Sequence, residues 1–164
     1  MRVDRRLFLG GAASLALIGA GRALGVTDEE KEAWALSEQE WKERLTPEQF
    51  RVLRKEGTER AGTSPLDKEK RAGVFACAGC GLELFTSDQK FDSGTGWPSF
   101  FDALPGRIET KTDFKLVYPR TEYHCARCGG HQGHVFKDGP NPTGLRYCNN
   151  GVALTFTPKD EAEG

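Results

Sequence analysis

Four of the five cysteines come in two copies of one unit, Cys77-Ala78-Gly79-Cys80-Gly81 and Cys125-Ala126-Arg127-Cys128-Gly129. Each C-x-x-C turn runs straight into a glycine, which takes positive φ without a side-chain clash. Two such turns facing each other supply four thiolates, a closed tetrahedral set that suits one structural Zn2+ per chain and leaves no open position for catalysis. Two other readings fit the same residues. One is a pair of ordinary disulfides in an exported protein. The other is a redox-active C-x-x-C, although that motif normally opens a helix in a βαβ setting, which this sequence does not display.

Once four cysteines are given to a metal, Cys148 is left over in Arg146-Tyr147-Cys148-Asn149-Asn150. On a strand, Arg146, Cys148 and Asn150 share one face while Tyr147 and Asn149 share the other. A guanidinium beside the sulfur favours the nucleophilic thiolate, and Asn150 offers hydrogen bonds to the sulfur or to a substrate. The competing reading is a buried, inert thiol, since free cysteine is among the most buried residue types.

Upstream, His131-Gln132-Gly133-His134 places two histidines three apart. They can be metal ligands, an acid/base pair or surface groups. With the cysteines satisfying a metal and no carboxylate pattern nearby, His131 and His134 read better as proton handlers for a sulfur nucleophile. His124, next to Cys125, reads as packing beside the metal. The glycine-rich turn from Phe91 to Phe100 carries Trp97, which reads plainly as a core aromatic on a loop. Its functional reading is an apolar wall, shared with Phe136, for a thioether-like methyl group.

These groups need a rigid frame, and the sequence supplies signals for one. Residues 26–60 are helix-like: Asp28 and Ser37 are candidate caps, and Thr46-Pro47-Glu48-Gln49 is a capping signature ahead of Phe50, Val52 and Leu53. Residues 57–73 turn polar around Gly62-Thr63-Ser64-Pro65, as a connecting loop does. From Gly73 onward, short runs rich in β-formers (Val74–Ala76, Leu84–Thr86, Lys115–Tyr118, Val152–Thr157) alternate with glycine and proline, which predicts an antiparallel β domain.

The chain has 164 residues, 37% of them apolar and 29% charged, which suits one compact domain plus terminal extras. Its formal net charge is −1; the first 25 residues carry +3, leaving −4 on the body, an unpromising balance for nucleic acid. Residues 1–25 read as an address: Arg5-Arg6, an uncharged run from Leu7 to Ala20, then Ala23-Leu24-Gly25 with small residues around a cut near Gly25. The paired arginines before Leu7-Phe8-Leu9 resemble a twin-arginine (Tat) signal, which sends folded proteins to the periplasm through the Tat export machinery. A membrane anchor is the other reading, but the run is short against the roughly 20 residues a span needs.

Cys77–Gly81, Lys90–Phe100, Cys125–Asp138 and Gly144–Asn150, together with Leu45–Phe50 and Lys55–Arg60, closely resemble the B-type methionine-R-sulfoxide reductases. The resemblance divides the chain into a signal (1–25), an N-terminal helical arm (26–37), a reductase domain (38–158) and a charged tail (159–164). It implies a mainly β fold of two antiparallel, β-tent-like sheets with a few N-terminal helices, and a structural zinc on Cys77, Cys80, Cys125 and Cys128. It further implies that Cys148 attacks the sulfoxide sulfur with support from Arg146 and Asn150. His131 and His134 then serve proton transfer and orientation, and Trp97 and Phe136 line the methyl pocket. The implied partners are methionine sulfoxide, free or in oxidised proteins, and a thioredoxin-like or other thiol reductant; for oligomeric state, which the sequence leaves open, a monomer is the default expectation.

Two departures from the family pattern stand out. Thr95 occupies the place where many members carry a resolving cysteine, so an outside thiol must reduce the sulfenic acid directly unless a zinc ligand is sacrificed. Gln132 and Asn149 stand where apolar residues are usual. The alternative function is a non-enzymatic zinc module with a buried Cys148; a thiol oxidoreductase working through its C-x-x-C pairs is a third, and predicts no tightly bound metal.

Overall fold

The computed structural model describes residues 25–114 and 119–162. The export-signal reading and the strand expected at Lys115–Tyr118 therefore lie outside the described residues. No helix among those described is long and apolar enough to cross a membrane.

Three short helices open the described chain, α1 (Asp28–Ala33), α2 (Glu38–Arg44) and α3 (Pro47–Lys55). Each begins with a complete capping box, on Thr27 with Glu30, Ser37 with Glu40, and Thr46 with Gln49. Thr27, not Asp28, caps α1: its hydroxyl reaches the Glu30 amide, and Asp28 is the first helical residue, where its charge faces the positive end of the dipole.

Nine strands follow among the described residues: β1 (Gly73–Cys77), β2 (Glu83–Thr86), β3 (Lys90–Phe91), β4 (Ser99–Phe100), β5 (Ile108–Asp113), β6 (Arg120–Cys125), β7 (His131–Phe136), β8 (Arg146–Asn149) and β9 (Leu154–Pro158). They form two antiparallel sheets, β2-β1-β9 and β3-β4-β8-β7-β6-β5. The last strand starts at Leu154 rather than Val152, because Gly151–Ala153 first makes a 3-10 turn. Lys159–Ala162, read from the sequence as tail, is a short helix, α4.

Aromatic side chains fill the space between the sheets. Phe85 stacks on Phe100 at 4.1 Å, Phe75 meets Phe100 edge-on at 5.0 Å, and Tyr123 meets Tyr147 at 5.4 Å. Burying such rings supplies the main driving force for closing one sheet on the other. The alternation of β1 buries Phe75 and Cys77 on the same side, so the strand that builds the core also delivers a cysteine to its edge. β6 does the same with Tyr123 and Cys125.

Candidate active site and metal centre

The two C-x-x-C turns are near copies in space. In each, the glycine amide after the second cysteine donates to the first cysteine's carbonyl, Gly81 to Cys77 at 2.7 Å and Gly129 to Cys125 at 2.9 Å. Both glycines have positive φ, 72° and 65°, which is the conformation the sequence called for. The four sulfurs lie within 4.8 Å of one another, with Cys77–Cys128 at 3.7 Å and Cys80–Cys125 at 3.5 Å. Four sulfurs at about 2.3 Å from a central ion stand about 3.8 Å apart, so the set fits a tetrahedral cation. A disulfide needs about 2.05 Å, and all five cysteines are free. As thiols the four share protons: hydrogen bonding with Cys125 raises Cys77 and Cys128 and lowers Cys80. Among the described residues no other cluster of cysteine, histidine and carboxylate is arranged to hold a metal.

Cys148 sits elsewhere, in the middle of the six-stranded sheet. Its register partners are Ser99 on β4 and His134 on β7, and His134 in turn pairs with Glu122 on β6. Directly opposed residues share a face, so Ser99, Cys148, His134 and Glu122 form one row. Arg146 and Phe136 pair two positions along on the same face, with the guanidinium 4.4 Å over the ring. Tyr123, Gly133 and Asn149 form the row that faces the core.

A bulge brings the second histidine onto this face. Tyr123 pairs with Gly133 but His124 pairs with His131, so Gln132 is the extra residue on β7. His131 and His134, three apart, consequently lie 5.6 Å ring to ring. Gly133 is required here by close approach, since a Cβ on it would meet the Cys148 carbonyl oxygen at 1.9 Å.

Each of these two histidines is held by a carboxylate that no sequence motif singles out. Glu122 lies 2.7 Å from His131 Nδ1 and Asp113 lies 2.8 Å from His134 Nε2. Glu122 comes from the adjacent strand β6 and Asp113 from β5, one strand further out, 9 and 21 residues away in sequence, and strand pairing was the signal that could have found them. Asp113 also accepts from Arg120, and Glu122 receives Lys111 at 3.2 Å. Burial lowers the His131 pKa despite the opposing pull of Glu122.

A cavity of about 130 Å³ opens over Cys148, lined by Thr58, Trp97, Arg120, His134, Phe136 and Asn150 among others. The expected wall residues Trp97 and Phe136 are thus brought together with the thiol, whereas His131 does not line the cavity. A larger open groove of about 880 Å³ near Arg60, Ser64 and Phe156 holds no cysteine or histidine. Trp97 is fixed by donating to the Glu59 carbonyl at 3.2 Å. Glu59 in turn, 4% exposed, uses its carboxylate to accept the Gly151 and Val152 amides at 2.5 and 2.9 Å.

Arg146 and Asn150 are both placed at the site; the guanidinium stands beside the Cys148 sulfur as expected, whereas the bonds of Asn150 differ from those expected. Arg146 forms a two-pronged pair with Asp138 at 2.9 Å on both arms, which offsets its charge. Burial pushes the Cys148 thiol above its ordinary value, and the opposing pull of Arg146 and Thr95 does not reverse it. The Asn150 amide is committed to backbone, donating to the Gln132 carbonyl and accepting from the Glu59 amide, both at 2.9 Å. It braces the turn after the nucleophile rather than gripping the sulfur.

The family model described as the SelR domain matches residues 45–158. The chain belongs to the SelR domain family. Its relatives include proteins named peptide methionine sulfoxide reductase MsrB from Methanosarcina barkeri (54% identical, covering 77% of this chain and 90% of the relative) and Leifsonia xyli (55%, 77% and 93%). Another of that name, from Thiobacillus denitrificans, is 50% identical over 82% of this chain and 98% of its own length. The SelR match takes in both C-x-x-C turns, the paired histidines and Cys148.

Proposed function

We propose that this protein reduces methionine-R-sulfoxide, in oxidised proteins or free, back to methionine. The observation that carries the reading is the row of Cys148 and His134 under a cavity walled by Trp97 and Phe136, in a chain that matches proteins named for this activity over most of its length. The R epimer follows from the B-type resemblance.

Cys148 sulfur attacks the sulfoxide sulfur, the S–O bond breaks, and the oxygen ends on Cys148 as a sulfenic acid while the thioether leaves. The step consumes no net proton: the one lost from the thiol is the one the oxygen needs. A Cys148 that holds its proton at rest and an imidazole 2.8 Å from Asp113 that can pass it on match this balance. A thioredoxin-like or other thiol reductant then supplies two thiols, one condensing with the sulfenic acid to release water and the second freeing Cys148 as a disulfide leaves.

Cys77, Cys80, Cys125 and Cys128 would hold a structural zinc, which supplies cross-linking of the two sheets and no catalytic step. Cys148, partly buried at the floor of a cavity, does not suit a non-enzymatic module with a fully buried thiol. Export by the Tat machinery to the periplasm, with cleavage near Gly25, and a monomeric state complete the proposal; the Arg5-Arg6 segment is what supports export.

The deciding experiment is dithiothreitol-driven reduction of each sulfoxide epimer by the mature protein beside Cys148→Ser, with zinc measured on both. Turnover of the R epimer alone, lost in the variant while zinc stays bound, is the expected result. A zinc-loaded wild type that turns over neither epimer overturns it.

A further inference from the structure

The residue that the β7 bulge turns away from the catalytic face is Gln132, and it is fully buried. Its side-chain amide nitrogen donates to Cys77 Sγ at 3.3 Å, and its amide oxygen accepts from Asn149 Nδ2 at 3.3 Å. Asn149, also fully buried, accepts from the Tyr123 hydroxyl at 2.6 Å and donates to the Asn150 carbonyl at 2.8 Å. Its backbone amide bonds the Pro98 carbonyl, at the end of the Trp97 loop. The Gln132 carbonyl meanwhile takes both the backbone and side-chain N–H groups of Asn150. A continuous buried path thus runs from a sulfur of the metal centre to the residue that follows the nucleophile.

From this path we infer that Gln132 is a positioning residue shared by the two sites: it donates a hydrogen bond to the metal-bound Cys77 sulfur and, through Asn149, fixes the strand carrying Cys148. The inference rests on the reading of Cys148 as nucleophile and of the four cysteines as metal ligands. Two arguments support it. A buried amide costs stability unless its groups are paired, and Gln132 spends its donor on a sulfur, an acceptor that is strong only as a thiolate. Amide donors to a bound thiolate draw charge off the sulfur and orient the ligand, which is how groups outside the coordination sphere tune a metal site.

The test is a double-mutant cycle on the zinc-loaded full chain, with Gln132→Met, Asn149→Leu and the pair, and Gln132→Leu as a second route where Met does not fold. Two readouts are taken: the rate of zinc transfer to a coloured chelator, and kcat against KM for the sulfoxide. Gln132→Met should release zinc about tenfold faster, and each single variant should lower kcat about threefold at unchanged KM. The pair should be no worse than the poorer single, because both act through one path. Zinc release at the wild-type rate from folded Gln132→Met, or kcat losses that multiply in the pair, would overturn the inference. A wild type that lacks either zinc or turnover overturns the underlying reading as well, so the two failures are told apart by the wild-type control.

Discussion

His134 and Cys148 are register partners on β7 and β8, so the imidazole and the thiol stand on one face of the sheet with only the width of a strand pair between them. Rigid neighbouring strands hold such a pair more accurately than loops do. The Asp113 carboxylate fixes the imidazole from the far side at 2.8 Å. Replacing His134 by Asn should cut kcat about a hundredfold, the usual worth of one proton-transfer group. Asp113→Asn should cost about tenfold, and the pair should match His134→Asn alone, since Asp113 acts through the ring. Steady-state kinetics of the three variants decide this; a double loss equal to the product would mean Asp113 acts by another route.

The Cys148 thiol is set by a contest that burial wins. Iodoacetamide alkylation of the zinc-loaded protein should therefore rise with pH about a midpoint above the ordinary thiol value of roughly 8.5. The Arg146–Asp138 pair predicts two opposite shifts. Arg146→Met removes the cation that favours the thiolate and should move the midpoint up. Asp138→Asn frees that cation of its partner and should move it down. A wild-type midpoint well below 8.5 would mean that the guanidinium, not burial, controls the sulfur.

Glu59 carries a third prediction. Burial raises its carboxyl pKa above the ordinary 4.5 even though the Gly151 and Val152 amides pull it down. The folded state thus holds this proton more tightly than the unfolded chain does. The stabilisation it contributes is full below about 4.5 and is lost as pH rises through the higher folded value. Urea unfolding of wild type and Glu59→Gln between pH 4 and pH 7 should show this decline in the wild type and a flatter profile in the variant. Equal slopes would remove Glu59 from the pH response.

What the sequence made legible was local. Capping boxes at Ser37 and Thr46, glycines after each C-x-x-C, and the opposite faces of Arg146 and Tyr147 all follow from residues within a few positions of each other. What it hid was pairing. Asp113, Glu122 and Arg120 look like ordinary strand charges until β5 and β6 are laid beside β7. The bulge at Gln132 cannot be read from a row of alternating side chains, because it inverts the alternation that such a reading depends on. β6 and β7 themselves are rich in charged residues, histidine and glycine, which masks their strand character.

The two C-x-x-C turns also pack against the N-terminal helices. Trp41 of α2 is 2% exposed and packs beside the first C-x-x-C turn, with Arg54 of α3 4.7 Å over its ring. Arg54 itself donates to the Cys128 carbonyl at 2.8 Å, and Leu53 abuts Gly130. Trp34 stacks on Trp41 at 6.0 Å, so two of the three tryptophans report on this contact, and Trp97→Phe isolates them. Taking the metal away leaves four thiols to share protons in a space shaped for a cation, and metal binding in such sites is folding free energy. Chelation should therefore shift the emission of Trp34 and Trp41 to the red, open residues 28–55 to proteases and lower the melting temperature, all reversed by zinc. Removal of metal with no change in emission or cleavage would mean that the buried faces of α2 and α3 hold the helices unaided and that the metal clamps only the two turns.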